Sequence, residues 1–194
     1  MKNLIFQYYK VISEDACSLP RRYRRSLNVP YWEMSKQSIS KYADRVGADY
    51  IFDNTTELLD THYSIFIPFM NGLYKHYDNI CFIDSDVLAT ACSSNIFLNI
   101  DSSLINLVQS NTGPMKVFKF CKISDWQNST ELNSGVVVFP KNTFRAVRNK
   151  IRSIPEYYER NPWSNGGYDQ EILFDFAMDY DYNNLHYKFN YMLS

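Results

Sequence analysis

Apolar residues in this chain come in short runs separated by polar stretches, and the runs carry two different periods. Leu4-Ile5-Phe6-Gln7-Tyr8-Tyr9 mixes apolar and aromatic side chains and predicts a first strand over 3–9. Arg21, Arg22, Arg24 and Arg25 then lie in an irregular stretch between Pro20 and Pro30, and proline at both ends predicts a loop. From 35 to 46 the period becomes helical, with Ile39, Tyr42, Ala43 and Val46 on one face and Gly47 placed to end the helix. Tyr50-Ile51-Phe52 predicts a second strand, and 64–76 a helix that starts near Pro68 or kinks there. From Asn79 to Ile83 a strand is expected, because its apolar run, Ile80-Cys81-Phe82-Ile83, is continuous rather than alternating, the mark of burial on both faces.

Further along, 104–108 is ambiguous, whereas 117–120 and 136–139 read as strands, the second ended by Pro140. Helices are expected at 144–158, interrupted at Pro155, and at 169–178, where Ile172, Leu173, Phe176 and Ala177 make an apolar face. A last short strand is expected at 186–191. Strands alternating with helices predict an α/β sandwich with a largely parallel sheet, and the absence of repeats or linkers predicts one domain over 1–194.

Composition narrows the partners. The 194 residues suffice for a full core, and Lys plus Arg (20) nearly balances Asp plus Glu (21) for a net charge of −1. That balance excludes a general electrostatic pull toward nucleic acid or an anionic membrane surface. The 16 Tyr and 13 Phe serve either core packing or a stacking surface for sugars or bases, and composition does not separate the two. Cysteines at 17, 81, 92 and 121 lack zinc-site spacing and suit a reducing compartment. The amino terminus turns polar too early for a signal peptide, and no apolar run approaches the ~20 residues of a membrane span. A cytoplasmic location is expected.

Candidate chemistry lies at three places. Ile80-Cys81-Phe82-Ile83 stops abruptly at Asp84-Ser85-Asp86. Ligands of open α/β sheets bind at the carboxyl ends of strands, and two adjacent carboxylates repel unless a cation joins them. Their hard oxygens suit magnesium or manganese, which in turn hold phosphate. A solvated surface turn is the plainer alternative. Two enzyme classes use such a pair. In one it holds a metal against a nucleotide diphosphate; in the other, the haloacid-dehalogenase-like phosphatases, Asp84 is the nucleophile and Asp86 a general acid/base. The phosphatase motif usually opens its domain, whereas about 80 residues precede it here, and its later acidic pair has only Asp175 and Asp179, on or just beyond a helix, to draw on. The second place is Asn133-Ser134-Gly135, a small polar triplet before a buried strand. Gly135 permits close backbone approach, and Asn133 offers a donor and an acceptor; an ordinary turn explains it equally well. The third is Gly166-Gly167-Tyr168-Asp169-Gln170, where Asp169 caps a helix and the paired glycines suit a backbone that approaches a substrate.

In this order and spacing the motifs resemble the retaining glycosyltransferases of family 8, the glycogenin and bacterial galactosyltransferase group with a GT-A fold. The similarity covers roughly residues 1–191 and includes the lead-in Gly72-Leu73-Tyr74-Lys75-His76-Tyr77-Asp78-Asn79-Ile80. It implies a mixed, mostly parallel sheet flanked by helices and a hexosyl-type transferase using a nucleotide-sugar donor, such as a UDP-sugar. The acceptor, whether glycan, lipid or protein, is open. Asp84 and Asp86 would hold Mn2+ or Mg2+ against the diphosphate, and Asp84 would also touch the ribose. Gln7 and Tyr8 would line the nucleotide pocket. Ser85, Ser134 and Gly135 belong to the donor-binding segments, Asn133 and Asp169 would bind donor-sugar hydroxyls, and Gln170 would lie beneath the anomeric carbon, Asp169 and Gln170 forming the catalytic pair. The family's further metal ligand, a His in a C-terminal His-x-x-Gly-x-x-Lys-Pro-Trp segment, has no counterpart in a sequence ending at Ser194, and His186 precedes the matching Phe-Asn instead of following it. His62 and His76 flank a helix and read as surface or packing residues. The Arg that the family often places before the Asp-x-Asp strand is absent, Ile67 and Pro68 standing there. The Arg21 to Arg25 cluster would either supply that charge or form the commoner solvated loop. A catalytically weak nucleotide-sugar-binding protein is therefore a third reading.

Overall fold

The apolar runs become strands of one sheet. The computed structural model describes residues 1–10, 31–56, 61–110, 131–151, 173, 181–186 and 189. Its strands are β1 (Asn3–Tyr8), β2 (Asp49–Asp53), β3 (Asn79–Ile83), β4 (Ile105–Ser110), β5 (Glu131–Pro140) and β6 (Tyr182–Leu185). They lie in the order β2-β1-β3-β5-β4-β6. β2, β1 and β3 run parallel, as do β4 and β6, while β5 runs antiparallel to both its neighbours. This mixed, mostly parallel sheet bears out the expected fold class.

Both faces of the sheet are covered, which is why β3 is apolar at every position from Ile80 to Ile83. On one face Leu4, Phe6, Ile80, Phe82, Leu107, Val137 and Phe139 pack against residues 64–69, α3 (Phe144–Ile151) and the helical residue Leu173. On the other, Ile5, Cys81, Ile83, Val136 and Val138 meet Ile39, Tyr42 and Ala43 of α1 (Trp32–Val46) and Ile96. The amphipathic stripe read from the sequence is the face that α1 buries. Gly47 ends this helix in the left-handed region, φ 68°, where a residue lacking Cβ is unstrained. The amide of Gly47 donates to the Asp44 carbonyl and that of Ala48 to the Ala43 carbonyl, so two otherwise orphaned carbonyls are satisfied.

Two sequence expectations need correction, and one ambiguity is resolved. The single helix over 64–76 is a 3-10 turn (Thr61–Phe66), a four-residue helix α2 (Ile67–Met70) and a second 3-10 turn (Leu73–His76). Pro68 sits in the first turn of α2, and Gly72 at φ 86° breaks the path beyond it. The ambiguous 104–108 is an inner strand. The last strand ends before His186, and Phe189 lies in a turn whose amide donates to the His186 carbonyl. The strand at 117–120, residues 152–158, and the helix at 169–178 apart from Leu173 lie outside the described residues.

Candidate active site at the carboxyl end of β3

After β1 the chain pairs β2 on one side of it and β3 on the other, so the carboxyl end of β1 is a topological switch point, where open sheets form crevices. Asp84 leaves β3 there and is half-buried; Asp86 is exposed. Residues 84–87 form a turn closed by the Val87 amide donating to the Asp84 carbonyl at 3.2 Å. Both carboxylates thus belong to one tight turn.

Antiparallel pairing brings the second motif beside the first. Ile83 pairs with Val136, and the Asp84 amide donates to the Gly135 carbonyl at 2.9 Å. β5 bulges at this point: Leu107 pairs with Val137, yet the next residue, Val108, pairs with Asn133. Residues 134–136 therefore swell away from β4 toward β3. Asn133 stabilises the bulge, its Oδ1 accepting the Gly135 amide at 2.7 Å in a buried setting. Asn133 and Ser134 are themselves buried.

Beneath the turn lies a polar network that sequence reasoning missed. Gln7 is 0% exposed. Its Nε2 donates to Ser35 Oγ at 3.0 Å and to the Asp84 carbonyl at 3.1 Å, and its Oε1 accepts from the Tyr50 hydroxyl at 2.7 Å. Ser35 in turn donates to the Val87 carbonyl at 2.5 Å. The resemblance implies that Gln7 lines a nucleotide pocket; its amide lies under the turn, with both amide hydrogens engaged by protein. Tyr8 is buried on the opposite face of the sheet, where its hydroxyl donates to the Thr56 carbonyl at 3.0 Å.

The grip continues along α1. Ser38 donates to the Ala89 carbonyl at 2.8 Å and accepts the Ala89 amide at 2.7 Å. Tyr42 donates to the Ser94 carbonyl at 2.8 Å and accepts the Ile96 amide at 2.9 Å. Arg45 reaches the carbonyls of Thr90, Ala91 and Ser93 at 3.0–3.2 Å. Positions 35, 38, 42 and 45 share one helical stripe, so a single edge of α1 holds the whole segment that follows the carboxylates. Burial pushes the Tyr42 hydroxyl up to about 12, and it raises that of Tyr50 as well. Both therefore stay protonated donors at neutral pH.

Two further features border the turn. Trp32 stacks between Tyr9 and Phe52, with ring centroids 5.2 and 5.7 Å away, at the ends of β1 and β2. A cavity of about 290 Å³ opens behind the turn, lined by residues including Tyr42, Ile83, Val87, Leu88, Val136 and Phe189; among its described lining residues neither Asp84 nor Asp86 occurs.

Among the described residues, no group of three or more His, Cys, Asp or Glu is arranged to hold a metal ion. His186 follows β6, three strand spacings from β3, roughly 14 Å away. Asp84 and Asp86 are thus a two-carboxylate, all-oxygen set. That chemistry fits Mg2+ or Mn2+, which keeps several positions for water and phosphate. Asp169 and Gln170 lie outside the described residues.

No protein-family model matches the chain, and no curated protein matches it in sequence. Solved structures do match its fold. A glycosyltransferase involved in glycosylating the major capsid of PBCV-1 superposes with a TM-score of 0.60 at 14% identity, over 96% of this chain and 82% of that one. The glycosyltransferase GlyE of Streptococcus pneumoniae TIGR4, in its apo form, gives 0.57 at 16% identity, over 97% of this chain but 46% of its own. Mouse xyloside xylosyltransferase 1 gives 0.50 at 10% identity, over 96% and 86%. The chain therefore has the fold of GT-A glycosyltransferases, and the resemblance read from the three motifs extends to the fold.

Proposed function

We propose that this chain is a metal-dependent glycosyltransferase that moves a sugar from a nucleotide diphosphate donor, a UDP-sugar, to an acceptor with retention at the anomeric carbon. The observation that carries the reading is the Asp84-Ser85-Asp86 turn at the carboxyl end of β3, beside the switch point of a sheet with the glycosyltransferase fold. Asp84 and Asp86 would hold Mn2+ or Mg2+, which when bound acts as a Lewis acid on the leaving diphosphate. Asn133 would bind a donor-sugar hydroxyl, the role that the family resemblance implies. Asp169 and Gln170 keep the roles that the family resemblance implies: a hydroxyl contact, and a group beneath the anomeric carbon. The acceptor is a glycan, lipid or protein. Among the described residues no helix is long and apolar enough to cross a membrane.

A thermal-shift and calorimetric screen of nucleotide sugars, with and without Mn2+, tests this. A ligand at a hundred times its Kd stabilises by about 2.7 kcal/mol. In a domain of this size that raises Tm by roughly 5–10 °C. The shift should require Mn2+ and vanish in Asp86→Ala, whose exposed side chain can be removed without disturbing the core. Absence of stabilisation by any nucleotide diphosphate sugar would sink the proposal. A beryllofluoride adduct dependent on Asp84 would select the phosphatase instead.

A further inference from the structure

We infer that Gln7 and Ser35 are positioning residues for the metal-binding turn, setting the geometry of Asp84 and Asp86 from beneath without touching metal or donor; this rests on the function proposed above. Two anionic side chains in one short turn repel, so a freely moving turn would hold them apart and admit a cation only at an ordering cost. Mg2+ and Mn2+ demand near-ideal octahedral geometry, and a site held more than about 0.5 Å from it loses affinity. The turn must be braced by something other than the ion.

Gln7 and Ser35 supply that brace at both ends. The Gln7 amide holds the Asp84 carbonyl, where the turn begins, and the Ser35 hydroxyl holds the Val87 carbonyl, where it closes. Gln7 also binds Ser35, so the two anchors are one unit, and Tyr50 fixes the remaining end of the Gln7 amide. Every member has its partners: Gln7 uses two donors and an acceptor, and Ser35 one donor and one lone pair. No side chain of similar size replaces Gln7. A carboxylate cannot donate to the Asp84 carbonyl, and an apolar group leaves that carbonyl and the Tyr50 hydroxyl each short of a partner. A fully buried glutamine in a row that otherwise reads Ile5, Cys81, Ile83 has no packing reason to be polar. The turn supplies the reason.

The test compares binding of Mn2+ with UDP to the intact chain and to Gln7→Met and Ser35→Ala, by calorimetry and by the free-Mn2+ electron paramagnetic resonance signal. Ile5→Val, which thins packing on the same strand without touching the turn, shows the effect of stability alone. Each positioning variant should weaken Mn2+–UDP binding at least tenfold at a temperature where circular dichroism shows it folded, while Ile5→Val binds as the parent does. Ser35→Ala removes one oxygen atom and guards against a Gln7→Met variant that does not fold. Parent-like affinity in Ser35→Ala and in folded Gln7→Met would overturn the inference and leave the functional reading standing. No Mn2+–UDP binding by the parent itself would remove both.

Discussion

The Asp84 amide donates to the carbonyl of Gly135, which ties the turn carrying the carboxylates to the bulge in β5. That carbonyl is aimed by the neighbouring bond in which Asn133 Oδ1 accepts the Gly135 amide. Asn133→Ala leaves this buried N–H without a partner and should cost about 1–3 kcal/mol. Urea unfolding measures the loss. Amide hydrogen exchange should locate it: protection at Asp84 falls further than at Val138, which pairs within the regular part of the strand. Equal loss at both amides would show that Asn133 supports β5 as a whole and not the bulge.

Gly47 offers a cleaner backbone experiment. A Cβ there would meet no atom within 4 Å, so the strain of φ 68° is the whole effect of adding one. Gly47→Ala should destabilise by about 1 kcal/mol, and Gly47→Asn by less, because asparagine tolerates the left-handed region. Denaturant midpoints decide the order.

Phe69 joins α2 to the sheet and to α3, meeting Phe139 and Phe144 edge-on at 5.2 and 5.4 Å and stacking on Tyr74 at 6.0 Å. Phe69→Ala should cost about 3–5 kcal/mol, and Phe69→Leu considerably less. Because this cluster lies on the face of the sheet away from α1, Phe69→Leu should leave Mn2+–UDP affinity unchanged.

Alkaline pH should loosen the molecule through Tyr42 and Tyr50. Both hydroxyls hold their protons more tightly when folded than at the ordinary tyrosine value of 10.0. The unfolded chain therefore ionises first, and their contribution, full below pH 10, is lost as pH climbs toward about 12, the folded value for Tyr42. The buried Cys81 thiol, also raised by desolvation, acts in the same direction. Melting temperatures between pH 9 and 12 should fall less steeply in Tyr50→Phe than in the parent. An unchanged slope would mean that Tyr50 ionises normally.

Much of this architecture was legible where one physical cause dominates. β3 announced itself because burial on both faces demands a continuous apolar run, and α1 because only its inner stripe needs to be apolar. The Asp-x-Asp turn stands out because a continuously apolar run stops there at two acids. Other features depend on partners distant in sequence. The position of Gln7 at a strand end says nothing about which way its amide turns, so its bonds to Ser35 and Asp84 cannot be read along the chain. Ser35 reads only as the start of a helix. The 64–76 segment carried enough apolar residues for a helix, and Gly72 decided otherwise through its backbone angle. The final strand, Tyr182–Leu185, contains two asparagines and was hidden by the more apolar residues after it. One of the two, Asn183, bonds the buried Asn106, a pairing invisible along the chain.

The side chains of Ser35, Ser38, Tyr42 and Arg45 all engage backbone atoms of the segment from Val87 to Ile96. The shape of that segment is consequently encoded in large part some fifty residues upstream, in the helix, with Ser93 and Asn95 of the segment itself holding the Thr90 and Phe97 amides. Residues such as Leu88, Ala91 and Cys92, which are exposed, can be exchanged while the path of the chain past the carboxylates persists. A designer seeking to graft new recognition chemistry beside Asp84 and Asp86 would find there a segment free to vary, and in α1 the template that must be copied unchanged.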